Sequence, residues 1–333
     1  MPTVTLYPSF EGGMKHNENN FFNPNGVSWA TLIASAIASE VWTTSGYLYW
    51  NCFFTHPSEP PNKWMVLDRS IFVFDTSSLP DDCLITSAVL RLSGYLKHDY
   101  LSIDPDINIY EASPAADDDL EVGDFDCIGS VALCDTPVAY ADWGPLWVEF
   151  NFNAVGISKI NKQGNTRFGT RCAKYDVAGV APPWVYIAGA FGYTDMRCRS
   201  SHYSGGANKP ELVITYVFLP AVTTNPASSI AGTAAILNGT LDDDTGEVCA
   251  CGFEWGETVA YGNTTPTQSK TTGQTFSRLI TGLSLGTIYH FRAFATNLAG
   301  TSYGADRAFT TRENGLSAPI KINRAFALSR EEL

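Results

Sequence analysis

The feature that most constrains this chain is a two-residue alternation that recurs along it. In Ser70-Ile71-Phe72-Val73-Phe74, successive side chains of an extended strand point to opposite faces, so Phe72 and Phe74 share one face. Ala88, Leu90 and Leu92 repeat the pattern, with Val89 and Arg91 opposite. Between them Thr76-Ser77-Ser78-Leu79-Pro80-Asp81-Asp82 reads as a crossing loop, because Pro fixes one dihedral and Asp favours turns. Similar short strands are expected at 107–110, 147–150, 184–187 and 212–216, separated by Gly, Pro and Asp clusters. Such spacing belongs to an all-β sandwich. One helical signal interrupts it. Ala154, Ile157 and Ile160 lie on one face, Asn153 suits the N-cap and Gly164 the end, which predicts two to three turns over 153–164.

A chain of 333 residues is long enough for two or three domains, and 44% apolar residues supply their cores. Aromatic residues reach 13% and charged residues only 17%, as in β-rich extracellular or virion proteins. The net charge of −13 repels phosphate backbones and anionic membranes, so no nucleic-acid partner is expected. No apolar run reaches 18 residues, so no membrane insertion is expected either. The first residues, MPTVTLYPSFEGGMKHNENN, lack the basic and apolar regions of a Sec signal peptide. Either the start has been trimmed or the protein leaves without Sec, as virion proteins freed by lysis do, and the expectation from Met1 followed by strand-like Thr3-Val4-Thr5-Leu6-Tyr7 is the second.

Several motifs point to chemistry and are outweighed by their context. Gly282-Leu283-Ser284-Leu285-Gly286 matches the G-x-S-x-G nucleophile elbow, but that elbow needs a strand–turn–helix in an α/β sheet. The histidines at 16, 56, 98, 202 and 290 show no H-x-x-x-H spacing. The triplets Asp117-Asp118-Asp119 and Asp242-Asp243-Asp244, like Asp104 and Asp106, read as solvated turns; structural calcium has no spaced ligand loop to support it, and no cofactor is implied. The eight cysteines contain no CxxC pair and read as buried small hydrophobes or structural bridges, with Cys127 and Cys134 spaced to close a short loop. No catalytic residue is assigned, and the chain is expected not to be an enzyme.

The wording FDTSSLPDDCLITSAVLRL, INIYEAS, WVEFNFNAVGISKINKQGNTRFGTR and KPELVITY resembles the DNRLRE-type jelly-roll domains, which are similar to carbohydrate-binding modules and occur in phage and metagenomic surface proteins. That resemblance covers residues 1–217 and implies a jelly-roll-like β-sandwich. Residues 218–312 resemble a fibronectin type III domain, through TAAILNGTL, CGFEWG and ITGLSLGTIYHFRAFATNLAGTSYG. There Trp255 takes the core indole position, Tyr289 forms a tyrosine corner, and Tyr289, Phe291, Ala293 and Ala295 point inward while His290 faces solvent. Residues 313–333 follow as a tail.

Two sets of residues remain as candidates for function. GYLYWNCFF carries Tyr47, Tyr49 and Trp50, which either stack on sugar rings, form a protein interface, or are covered by neighbouring layers, as are Trp29, Trp42 and Trp64. In the tail, Ile320, Ile322, Phe326 and Leu328 are costly on a free terminus, and a docking peptide that adds an edge strand to another subunit would use them. The expected partners are therefore other subunits, as a homo-oligomer or with virion proteins, together with surface glycans. The expectation is a non-enzymatic adhesive or structural component of an extracellular assembly, most directly a phage virion surface or tail protein. The alternative is a secreted glycan-binding accessory module.

Overall fold

The computed structural model describes residues 1–17, 26–54, 62–184, 192–204 and 208–313, with the backbone alone for 50–54. The chain divides into two compact units, with the boundary between Val217 and Phe218. No described helix is long and apolar enough to cross a membrane.

The first unit is a β-sandwich with jelly-roll-like crossovers. Its described strands in chain order are β1 (Thr3–Leu6), β2 (Phe10–Asn17), β3 (Glu40–Trp42), β4 (Tyr47–Phe54), β5 (Trp64–Asp75), β6 (Leu84–Asp99), β7 (Asp106–Ala112), β8 (Ile128–Ala132), β9 (Val138–Ala139), β10 (Trp147–Asn151), β11 (Asn165–Arg171), β12 (Tyr193–Arg199) and β13 (Glu211–Val217). Hydrogen bonding runs in the order β1-β13-β6-β12-β4-β5-β11-β7-β8, every pair antiparallel. The long β6 belongs to both layers. Its first half pairs with β13 and β10, its second half with β12. The corner falls at Gly94, where the register with β12 slips between Arg197 and Cys198. A Cβ at Gly94 would overlap the carbonyl oxygen of Gly144, so only glycine lets the chains approach there.

The alternation expected along β5 and β6 is present. Phe72 and Phe74 meet Ala88, Leu90 and Leu92 in the core between the layers, together with Leu48, Met196, Cys198, Leu212 and Ile214. The opposite face of β5 is buried too. Ile71 and Val73 pack under Met14, Trp29, Leu32 and Trp64 in a second core. A strand apolar on both faces must be covered on both, and here the short helix Trp29–Ile33 supplies part of the second cover.

The helix over 153–164 is shorter than the sequence pattern suggests. It spans Ala154–Ser158, with the Asn153 side chain accepting from the Gly156 N–H at 2.9 Å. Beyond it the Asn161 N–H goes to Thr166 Oγ1 at 2.9 Å and the Asn161 carbonyl accepts from Thr76 Oγ1 at 2.5 Å. Strand neighbours thus take the backbone groups that another helical turn needs. Of the strand expected at 184–187, only Trp184 lies among the described residues, and it is not in a strand.

The second unit contains β14 (Ala221–Ser228), β15 (Ala234–Asp243), β16 (Cys249–Gly256), β17 (Asn263–Thr264), β18 (Gln268–Lys270), β19 (Thr275–Thr281), β20 (Ile288–Asn297), β21 (Gly300–Tyr303) and β22 (Arg307–Thr310). One sheet is β14-β15-β19; the other is built around the β16–β20 pair, with β17, β18, β21 and β22 at its edges. This is the two-sheet arrangement of a fibronectin type III-like sandwich. Tyr289, Phe291, Ala293 and Ala295 point inward as expected. The tyrosine corner is present: the Ser284 N–H donates to the Tyr289 hydroxyl at 3.1 Å. Trp255 is a correction. Phe253, two residues earlier on the same strand face, is fully buried, and Trp255 packs at the margin of the core with its ring 6.0 Å from Tyr289. His290 lies on the outward face as expected, half-buried, and bonds Asp306 at 2.9 Å. The tail residues Ile320, Ile322, Phe326 and Leu328 lie outside the described residues.

Candidate aromatic–arginine face

Strands β6, β12 and β4 lie side by side, and their alternation decides what each face carries. On β12, Thr194, Met196 and Cys198 are buried, the last two in the sandwich core, while Tyr193, Asp195, Arg197 and Arg199 occupy the opposite face. The register places Arg197 beside Tyr49 and Arg199 beside Tyr47 on β4, and Asp195 beside His98 on β6. Two of the sequence candidates, Tyr47 and Tyr49, therefore come to one face. Trp50 belongs to β4 as well, and its side chain lies outside the described residues.

The rings and guanidinium groups on this face form a continuous ladder. Tyr47 stacks on Tyr95 with centroids 4.4 Å apart and planes at 26°. Tyr203 leans on Tyr47 at 5.5 Å. The Arg199 guanidinium lies over Tyr95 at 5.5 Å and over Tyr203 at 5.1 Å, and its Nη1 donates to Ser93 Oγ at 2.8 Å. Arg197 lies over Tyr49 at 4.9 Å, and Trp42 meets Tyr49 edge-on at 6.0 Å. Gly13 makes room for that indole, because a Cβ there would overlap its ring. Farther along, His98 stacks on Tyr100 at 5.5 Å, and Tyr100 meets Tyr193 edge-on at 4.9 Å. Tyr95 is 39% exposed and Tyr100 55%, so the ladder presents ring area to solvent.

The electrostatics of the face are uneven. Asp195 is fully buried and is shared by Arg197 and His98, the latter at 2.7 Å. Arg199 has no carboxylate partner among the described residues; two phenol rings and one hydroxyl meet its charge. Hydrogen bonding to Tyr95, with burial, pushes the Tyr47 phenol up to about 12, so its ring stays neutral at physiological pH. The sequence reasoning singled out Tyr47 and Tyr49 and missed Tyr95, Arg197, Arg199 and Tyr203. The signal for the arginines was present: YTDMRCR alternates Tyr, Asp, Arg and Arg against Thr, Met and Cys.

Other candidates resolve into structure. Ser284 of the G-x-S-x-G match sits between Gly282 and Gly286, both at positive φ, and its backbone serves the tyrosine corner. Asp117 is not a solvated turn. Its carboxylate holds the Arg167 guanidinium and accepts from Asn165 Nδ2 at 3.0 Å, and the bond from Arg167 keeps it below the usual carboxylate range. Asp244 caps a turn by accepting from Thr272 Oγ1 at 2.7 Å and from the Gly246 N–H at 3.0 Å. Asp106 accepts from the Lys174 N–H at 2.9 Å. Cys127 and Cys134 are both free thiols, as are Cys249 and Cys251, so neither pair closes a loop. Among the described residues, no group of three or more His, Cys, Asp or Glu side chains is placed to hold a metal ion. A partly open cavity lined by Trp29, Asp68, Asp106, Cys172, Tyr175 and Met196 measures about 40 Å³, room for a water and not for a sugar ring.

No family model and no curated protein matches the chain. Among solved structures, the sensor domain of the anti-sigma factor RsgI4 in Pseudobacteroides cellulosolvens is 23% identical over 28% of this chain and 94% of its own length, at a TM-score of 0.24. The fibronectin type III domain of human fibronectin type III domain containing protein 3 is 18% identical over 33% of this chain and 94% of its own, at 0.22. A β-glucuronidase from Ruminococcus gnavus is 9% identical over 93% of this chain and 45% of its own, at 0.26. The strand pairing itself defines the class: an all-β chain of two sandwiches, the second of fibronectin type III type. No function follows from these likenesses.

Proposed function

We propose that this protein is a non-enzymatic adhesive component of an extracellular assembly, a virion surface or tail protein, that holds glycans on the aromatic–arginine face of its first sandwich. The observation that carries the reading is the ladder itself. Tyrosine rings from β4, β6 and the loop after β12 stand on one face of the sheet, partly exposed, with arginines interleaved. Flat apolar ring faces suit the C–H faces of sugars, and fixed guanidinium groups suit their oxygens. Arg199 brings unpaired positive charge to this face of a chain with net charge −13, which favours glycans bearing acidic groups. The resemblance of residues 1–217 to DNRLRE-type domains belongs to this reading, as does the tail as a docking peptide. A secreted glycan-binding accessory module would use the same face. Screening the full chain on a glycan array tests the binding. Binding lost in Tyr95→Ala and Arg199→Ala supports the reading; no glycan bound, or binding unchanged in both variants, removes it. Recovery of the native chain in filtered particles rather than cell-wall fractions separates the virion role from the accessory one.

A further inference from the structure

Glu11 is a buried carboxyl group at the back of the loop that completes the aromatic–arginine face. It lies on β2, opposite Phe72 of β5, and is only 1% exposed. One carboxyl oxygen accepts the Ser201 backbone N–H; the other, Oε2, is buried with no hydrogen-bond partner. The Ser201 loop is short and tightly tied. The Ser200 N–H donates to the Gly46 carbonyl at 3.1 Å, and the Tyr203 N–H to the Ser200 carbonyl at 3.2 Å. Two residues beyond Ser201, Tyr203 contacts Tyr47 and covers the Arg199 guanidinium.

We infer that Glu11 is an acid-tightened latch on residues 200–203: the neutral carboxyl group holds the loop and Tyr203 closed, and its ionised form favours opening to water. An ionised Glu11 keeps a charged oxygen in a buried position with nothing to bond, and an open loop rehydrates it. Burial raises the Glu11 carboxyl above its ordinary range, against the bond from Ser201 and the charges of His202 and Lys209. A further titratable neighbour among the described residues is the Cys198 thiol on β12, which burial keeps protonated. The sign follows from linkage. The closed loop binds the Glu11 proton more tightly than the open loop, where the group regains its ordinary affinity, so falling pH favours closure. Acidification thereby fixes Tyr203 against Tyr47 and Arg199, and rising pH releases it.

The consequence for glycan binding rests on the function proposed above, whereas the latch is measured with no ligand present, so the two fail separately. The test is hydrogen exchange at the Ser201 amide of the full chain, expressed as a protection factor between pH 7 and pH 5. Protection in the wild type is expected to rise roughly threefold or more as pH falls. In Glu11→Gln, which is permanently neutral, it should be high and independent of pH. A flat profile in the wild type, or the same pH dependence in Glu11→Gln, overturns the latch. Should Glu11→Gln melt too low to measure, Lys209→Ala decides. Removing a cation that favours the ionised carboxylate must move the midpoint to higher pH, and an unmoved midpoint overturns the latch.

Discussion

Tyr47 and Tyr95 stack across an intervening strand: β4 and β6 are both neighbours of β12, not of each other, and their rings close to 4.4 Å over the row that holds Arg199. The stack couples three strands through side chains on the solvent side of the sheet, in addition to the core beneath.

Removing either ring should therefore affect stability and binding unequally. Tyr47→Ala is expected to cost about 0.5–1.5 kcal/mol of unfolding free energy beyond its lost burial, the range for an aromatic pair. Glycan retention should fall much further. Denaturant titration alongside an affinity gel measures both. A variant that unfolds at room temperature would make Tyr47 a core residue and not a face residue.

The buried charge cluster behind the second core gives a stability prediction with a pH signature. Asp176, fully buried, accepts from Arg69 at 3.0 and 2.7 Å and from Arg171 at 2.9 and 2.7 Å. Burial pushes its carboxyl up, but the two guanidinium groups outweigh this and hold it below 3.8. Stability from Asp176 is thus present above about pH 3.8 and lost as pH falls through the lower folded value. Asp176→Asn strands the buried Arg69 and the partly buried Arg171 and should cost about 3–5 kcal/mol near neutral pH, read as a lowered denaturant midpoint. The cost should shrink in acid.

In the second unit, Tyr289→Phe deletes the hydroxyl that accepts the Ser284 N–H and leaves that backbone group unsatisfied. The expected cost is about 1–3 kcal/mol, since Tyr289 is only 5% exposed. Calorimetry on the full chain should show the second unit melting lower, with the first unit's transition unmoved.

The thiols should be silent in the native chain. Burial raises Cys198 well above its ordinary range and Cys251 to about 11, so little thiolate forms at pH 8. A thiol reagent should modify both only after denaturation; rapid native labelling of either would mean that its site opens readily.

Much of this architecture is legible in local patterns. Phe72 and Phe74 against Leu90 and Leu92, and the Tyr289 corner, are two-residue alternations and fixed short spacings, which a sequence displays directly. What escapes is whatever distant segments decide. The helix at Asn153 stops early because Thr76 and Thr166 claim Asn161. Phe253 rather than Trp255 fills the core centre, although both stand on one strand face. The face was half visible: GYLYW announces its aromatics, but Tyr95 and Tyr203 join it only through the β6–β12–β4 order, and strand order is not written in any one strand.

The account stands most directly on where a glycan touches the chain. Amide chemical shifts of the full chain, recorded while a glycan selected on the array is titrated in, should move together at residues 47–49, 93–100 and 193–203. Shifts confined to the second unit, or to the first unit's opposite sheet around Thr3–Leu6 and Glu211–Val217, would contradict the assignment of the aromatic–arginine face as the binding surface.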